Sequence, residues 1–250
     1  MTRSDASSSL PAAEGERPRQ IARALLDIGA VHLQPDDPFT WSSGLLAPIY
    51  CDNRITLGYP AVRSLIAEAF TDVMNEHALL PATIAGTATA GIPHAAWLSD
   101  RVEAPMCYVR SSSKDHGRRN RIEGVIRDGQ PVVVVEDLIS TGASALSAAE
   151  ALTAAGATVA GILAIFTYEL DAATQRFEAA GIPLHTLTGF QALLTVATDT
   201  GRLDDDQRKT LTAWRRDPAA WSHAADTAAS TDDPADTDAS RGDASETGRS

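Results

Sequence analysis

Apolar residues recur along this chain at two alternating spacings, one helical and one extended. Residues 21–29 set leucine and isoleucine at helical intervals and stop at a glycine. Residues 59–77 carry Val62, Leu65, Ile66, Ala69, Phe70 and Val73 on one face of a longer helix. Short apolar runs at 83–86, 106–109, 132–137 and 159–168 predict strands, and 94–100, 145–155 and 172–180 predict the helices between them. Connections of this length cannot be hairpins. The pattern therefore predicts an α/β fold, a parallel sheet flanked by helices, with ligand sites at the carboxyl ends of the strands. Residues of about 18–57 break the alternation and predict a small N-terminal subdomain beside a core of about 58–216. The polar segment 1–17 and the Ala, Thr, Ser and Asp-rich tail 217–250 predict disorder.

The segment richest in chemistry runs from Pro131 through four valines to Glu136, Asp137, Leu138, Ile139, Ser140, Thr141, Gly142, Ala143 and Ser144. Consecutive β-branched apolar residues suit a central strand covered on both faces. The acids end that strand. The small residues after them let backbone N–H groups and hydroxyls close around an anion where a helix begins. An acid pair can be merely solvated, and Ser-Thr-Gly can merely cap a helix, but here strand, acids, turn and helix follow one another in the order used by α/β ligand sites. A P-loop is excluded, because the two lysines, Lys114 and Lys209, follow no glycine. No Gly-x-Gly occurs either, so the dinucleotide fingerprint is absent.

This segment resembles the signature of the type I phosphoribosyltransferases, and three more blocks narrow the resemblance to the orotate phosphoribosyltransferases. Phe39-Thr-Trp41-Ser-Ser43-Gly44 with Pro48-Ile-Tyr50-Cys-Asp52-Asn53-Arg54 is similar to their N-terminal block. The turn Gly86-Thr-Ala-Thr89-Ala90-Gly91 is similar to their pyrophosphate-binding turn, and Arg110 with Lys114-Asp115-His116-Gly117 to their mobile catalytic loop. The blocks extend over about residues 20–200 in the family's order. The resemblance implies the type I phosphoribosyltransferase fold with a small N-terminal hood over the base. It also implies transfer of ribose 5-phosphate from phosphoribosyl pyrophosphate to orotate, with Mg2+ held mainly through substrate and water rather than in a protein cage. A homodimer is implied, each active site borrowing the loop of its neighbour.

By the same resemblance, Glu136 and Asp137 accept hydrogen bonds from the ribose hydroxyls, with Asp137 the stronger candidate. Because adjacent strand residues face opposite ways, the backbone is expected to turn between them. Leu138, Ile139, Thr141, Gly142, Ala143 and Ser144 belong to the segment that cradles the 5′-phosphate, and Ser140 lies where the family contacts orotate. Arg110, Lys114 and His116 reach the pyrophosphate, and Arg118, Arg119 and Arg121 are candidates to attract it. Relatives carry lysines where Ser42 and Ala90 stand, a further loop lysine among residues 111–113, and an orotate-contacting arginine where Tyr168 stands. Arg54 is the candidate to supply the missing charge, an ion pair with a carboxylate being the rival role. The whole set resembles a distinct bacterial and archaeal branch.

Composition adjusts this picture at its edges. A net charge of −12 argues against nucleic-acid binding, which needs a basic face. An Asp-rich, lysine-poor chain also resembles proteins of high-salt cytoplasm, here read as a halophilic archaeal source. No apolar run approaches membrane-spanning length, the N-terminus has no secretory h-region, and two cysteines fit a reducing cytoplasm. Two rival functions remain: a phosphoribosyltransferase for another base, which would not need the Lys-Asp-His-Gly loop, and a ligand-sensing regulator on the same fold, which should carry a basic surface or a helix-turn-helix.

Overall fold

The run of valines occupies the middle of a six-stranded sheet in a computed structural model that describes residues 15–41, 43–79, 82–111 and 121–231. Strand β8 (Pro131–Ile139) lies between β5 (Thr83–Thr87) and β9 (Thr158–Thr167). Outside them lie β6 (Met106–Val109) and β10 (Leu184–Gly189); these five strands are parallel, and β7 (Ile122–Gly124) closes the β6 edge antiparallel. Val132 to Val135 are all 0 % exposed. Val132 and Val134 face one way, into a cluster with Ala145, Leu152 and Phe177 from α4 (Ala143–Ala154) and α5 (Asp171–Ala180). Val133 and Val135 face the other way, toward α1 (Glu16–Asp27), α2 (Pro60–Glu76), α3 (Gly91–Arg101), α6 (Phe190–Asp199) and α7 (Asp205–Arg216). Each valine so buried contributes roughly 1.5–3 kcal/mol, so the strand carrying the acids is anchored from both sides.

The hood is two small antiparallel pairs, β1 (Val31–Leu33) with β4 (Ile49–Cys51) and β2 (Phe39–Thr40) with β3 (Leu46–Ala47), followed by a 3-10 helix, Asn53–Gly58. Although α1 falls within the predicted hood range, it lies against α6 and β10, and Thr188 Oγ1 donates to Pro18 O at 2.8 Å. The hood therefore begins after α1.

The sequence reading placed no element beyond residue 180, yet β10, α6, α7 and α8 (Pro218–Thr231) all follow. Residues 218–231, expected to be disordered, form a helix that packs on β3. Asp217 Oδ1 accepts from Ala220 N at 3.0 Å at its start, and Leu46 N donates to Ser222 Oγ at 2.8 Å. Ser222 is buried, and Trp221 packs against the core.

Candidate active site

From β5 the chain crosses through α3 to β6, whereas from β8 it crosses through α4 to β9 on the opposite side. The neighbours β5 and β8 thus send the chain in opposite directions, which opens a crevice at their carboxyl ends. Thr87 and Glu136 meet there: Thr87 Oγ1 lies 2.7 Å from Glu136 Oε1 and 3.1 Å from Val135 O. Asp137 N donates to the same Oε1 at 3.1 Å, and Ser144 Oγ donates to Oε2 at 3.1 Å. With 6 % exposure, Glu136 has both oxygens held by the protein.

Asp137 follows where the two faces of β8 change over: Val135 and Leu138 pack into one cluster and Val134 and Ile139 into the other, so the backbone turns across the acids as expected, although pairing with β9 resumes as far as Ile139↔Thr167. The two carboxylates thereby come within reach of each other. Asn53 Nδ2 of the hood donates to the Asp137 carbonyl at 2.6 Å. Burial pushes the Asp137 carboxyl up to about 7, and the adjacent Glu136 adds to the shift.

After β8 the segment divides by role. Ile139 is 1 % exposed in the core beneath α4 and its carbonyl accepts from Tyr168 N, while Leu138 packs against the opposite cluster. The Ile139 side chain is thus committed to the core, and that of Leu138 is half-buried against the other cluster. Ser140 and Thr141 are half-buried, and Ala143 and Ser144 are exposed. Gly142 takes φ +76°, and a Cβ there would meet Phe177 Cε2 at 2.6 Å, so glycine is required for both reasons. The N-terminus of α4 has no side-chain cap and no acid in its first turn, leaving backbone N–H groups for an anion. A residue the sequence did not single out, Arg176 of α5, donates to Thr141 Oγ1 at 2.9 Å and Thr141 O at 3.2 Å.

The turn from β5 to α3 contains a cis Ala88–Thr89 peptide and rests directly on β8. A Cβ on Gly91 would collide with Val135 O, and one on Gly86 would come within 2.8 Å of Ile92 Cα. His94 in the first turns of α3 is 2 % exposed, and burial pulls its imidazole down to about 4. Thr56 Oγ1 donates to Asn53 O at 2.6 Å, so toward His94 Nε2, 3.3 Å away, it can only accept; the proton then resides on Nε2. The hood's 3-10 helix is thereby fastened to both turns, through Asn53 to β8 and through Thr56 to α3.

Arg110 ends β6 with its backbone N–H donating to Arg121 O, and its Nη1 lies 3.9 Å from Glu123. Arg121 is tied to the protein, Nε donating to Arg110 O at 2.9 Å and Nη1 to Ser147 Oγ at 3.0 Å. Lys114, His116, Arg118 and Arg119 lie outside the described residues, as does Ser42. Arg54 is forked onto Asp52, at 2.6 and 2.8 Å, so the ion-pair role is the one realised. Tyr168 is 2 % exposed among Trp41, Phe166 and Trp214, which removes it from any base contact through its ring edge.

Comparison with known proteins agrees with this geometry. The profile of the phosphoribosyl transferase domain matches residues 54–179. An orotate phosphoribosyltransferase of Bacillus cereus is 56% identical over 205 residues, covering 81% of this chain and 98% of that protein. The crystal structure of orotate phosphoribosyltransferase from Aeropyrum pernix superposes with a TM-score of 0.64 at 29% identity, covering 74% of this chain and 99% of the other. Leishmania donovani UMP synthase gives 0.68 at 27% identity over 80% of this chain and 42% of its own. Relatives at 55% and 56% identity are Bacillus proteins, so a halophilic archaeal source gains no support.

Proposed function

Because the chain belongs to the orotate phosphoribosyltransferases, within the type I phosphoribosyltransferase family, we propose that its reaction runs in the crevice between β5 and β8. The enzyme transfers ribose 5-phosphate from phosphoribosyl pyrophosphate to orotate, giving orotidine 5′-monophosphate and pyrophosphate in UMP biosynthesis. Orotate N1 bonds to C1 of the sugar as the C1–O bond to pyrophosphate breaks, so positive charge grows on the ribose and negative charge on the leaving group. Little proton transfer is required. What the site must supply is oriented charge and exclusion of alternatives to orotate at C1.

The observation that carries this placement is the strand-end carboxylate pair facing an uncapped helix N-terminus across residues 138–142. Glu136, saturated by Thr87, Ser144 and the Asp137 N–H, orients the strand end; Asp137 is the carboxylate that receives the ribose hydroxyls. The α4 N–H groups with Thr141 and Gly142 seat the 5′-phosphate, and the Gly86–Gly91 turn receives pyrophosphate. Lys114, Arg110 and His116 complete the leaving-group end, and the neighbouring subunit of a homodimer supplies the loop. Asp137 offers the hard oxygen that magnesium favours, and the ion, bound to substrate and water, would offset charge on the departing pyrophosphate. Two buried unpaired cysteines, Cys51 and Cys107, are consistent with cytoplasmic residence, and no described helix is long and apolar enough to cross a membrane.

Orotate absorbance should decay on adding phosphoribosyl pyrophosphate and magnesium, with no consumption of adenine, hypoxanthine or uracil. Turnover of a purine would displace the base assignment, and binding without turnover would make the protein a sensor.

A further inference from the structure

Several arginines among the described residues answer carboxylates: Arg17 meets Glu76, Arg54 meets Asp52 and Arg202 meets Asp27. Arg176 does not. Its Nη1 donates to two neutral acceptors, Thr141 Oγ1 and Thr141 O, and it forms no ion pair among the described residues. The position is enforced by its neighbour in the helix. Phe177 is 2 % exposed and its ring lies against Gly142, so α5 is in contact with the turn and Arg176 reaches over the rim.

A cation beside the N-terminus of α4 opposes the helix dipole, at a modest cost for an exposed side chain. The first turn of α4 carries no acid of its own and no side-chain cap, the nearby carboxylate being Glu136, bonded to Ser144 Oγ. Two features that repel each other are brought together, and a bound anion would reconcile them. Hydrogen-bond bookkeeping points the same way. A hydroxyl has a single proton; with Thr141 Oγ1 accepting from Arg176, its own proton is available to an acceptor on the turn.

We propose that Arg176 completes the seat of the donor's terminal phosphate, orienting the Thr141 hydroxyl and adding charge through its remaining N–H groups. This rests on the 140–144 turn being the phosphate seat. The residue acts at one end of the donor only, so its loss should be felt by ligands carrying that phosphate and not by pyrophosphate.

The full-length enzyme carrying Arg176→Ala, Arg176→Lys or Thr141→Val is compared with the parent. Inhibition is measured with ribose 5-phosphate, which has the terminal phosphate alone, and with inorganic pyrophosphate. Arg176→Ala should raise the KM for phosphoribosyl pyrophosphate roughly tenfold and weaken ribose 5-phosphate inhibition alike, as for loss of a charge-assisted contact. It should leave kcat, pyrophosphate inhibition and the melting temperature near the parent values. Arg176→Lys should recover part of the loss, retaining charge without the planar fork. If Arg176→Ala changes neither quantity while Thr141→Val changes both, Arg176 has no part in the seat. Equal weakening toward ribose 5-phosphate and pyrophosphate would make its role structural and overturn the proposal too. Should Thr141→Val also be silent, the seat lies elsewhere and the reading of the turn fails with it.

Discussion

Burial and a like-charged neighbour together hold Asp137 protonated up to about pH 7, whereas an unfolded aspartate ionises near 4. Between those values the folded protein keeps a proton that the unfolded chain gives up, so this residue makes stability fall as pH rises through that window. Catalysis runs the opposite way, since the charge needed beside a cationic sugar exists only once the proton has left. The kcat/KM for phosphoribosyl pyrophosphate should therefore climb with pH around a midpoint near 7. Asp137→Asn should lower kcat by roughly a hundredfold or more and abolish that midpoint. Glu136→Gln should move the midpoint downward by removing the neighbouring charge. A parent profile already flat from pH 5 upward would contradict this account. The acids themselves were legible in the sequence because they follow four valines. Their division of labour was not, since it depends on Thr87 and Ser144 arriving from elsewhere in the chain to occupy Glu136.

Between residues and the whole stands the 3-10 helix Asn53–Gly58, whose Asn53 and Thr56 are 1 % and 0 % exposed. It ties the hood to the strand end through a 2.6 Å bond to the Asp137 carbonyl. Losing that donor leaves a buried carbonyl unpaired, a cost of about 1–3 kcal/mol. Asn53→Asp is worse, because a carboxylate then faces the carbonyl. Thermal melting and steady-state kinetics should rank parent, Asn53→Ala and Asn53→Asp in falling order of both stability and kcat. Parental stability in Asn53→Asp would remove the strut from consideration. Elements with a strong period, β8, α2 and β9, were readable from sequence. The half-polar strand at 184–189 was not, nor α6, which is apolar on most sides and so has no alternation to read. Tail composition masked α8, although Asp217 followed by Pro218 is a helix-start signal in its own right.

For the whole molecule, the order β10-β9-β8-β5-β6-β7 brings the two turns proposed to hold the donor together from distant parts of the sequence, at the carboxyl ends of the paired strands β5 and β8. Alternation of helix and strand disclosed the layers, but not the strand order, which is set by which edge each crossover reaches. A homodimer with exchanged loops makes a sharp expectation. Lys114→Ala and Asp137→Asn are each nearly inactive alone, but mixed, unfolded and refolded together they form heterodimers in which one site carries both lesions and the other neither. About a quarter of parental activity per total dimer should return, by random pairing of equal amounts. No recovery would mean each subunit uses its own loop.

Where α3 begins against β8, Gly91 has no room for a Cβ, which would collide with Val135 O and with the Thr87 hydroxyl that bonds to it. On the proposed placement of the donor, the separation of its two turns is held by this close approach, which leaves little room to adjust. A sugar diphosphate one carbon longer or shorter would then fit such a fixed gauge poorly, so discrimination for a pentose would begin in the scaffold.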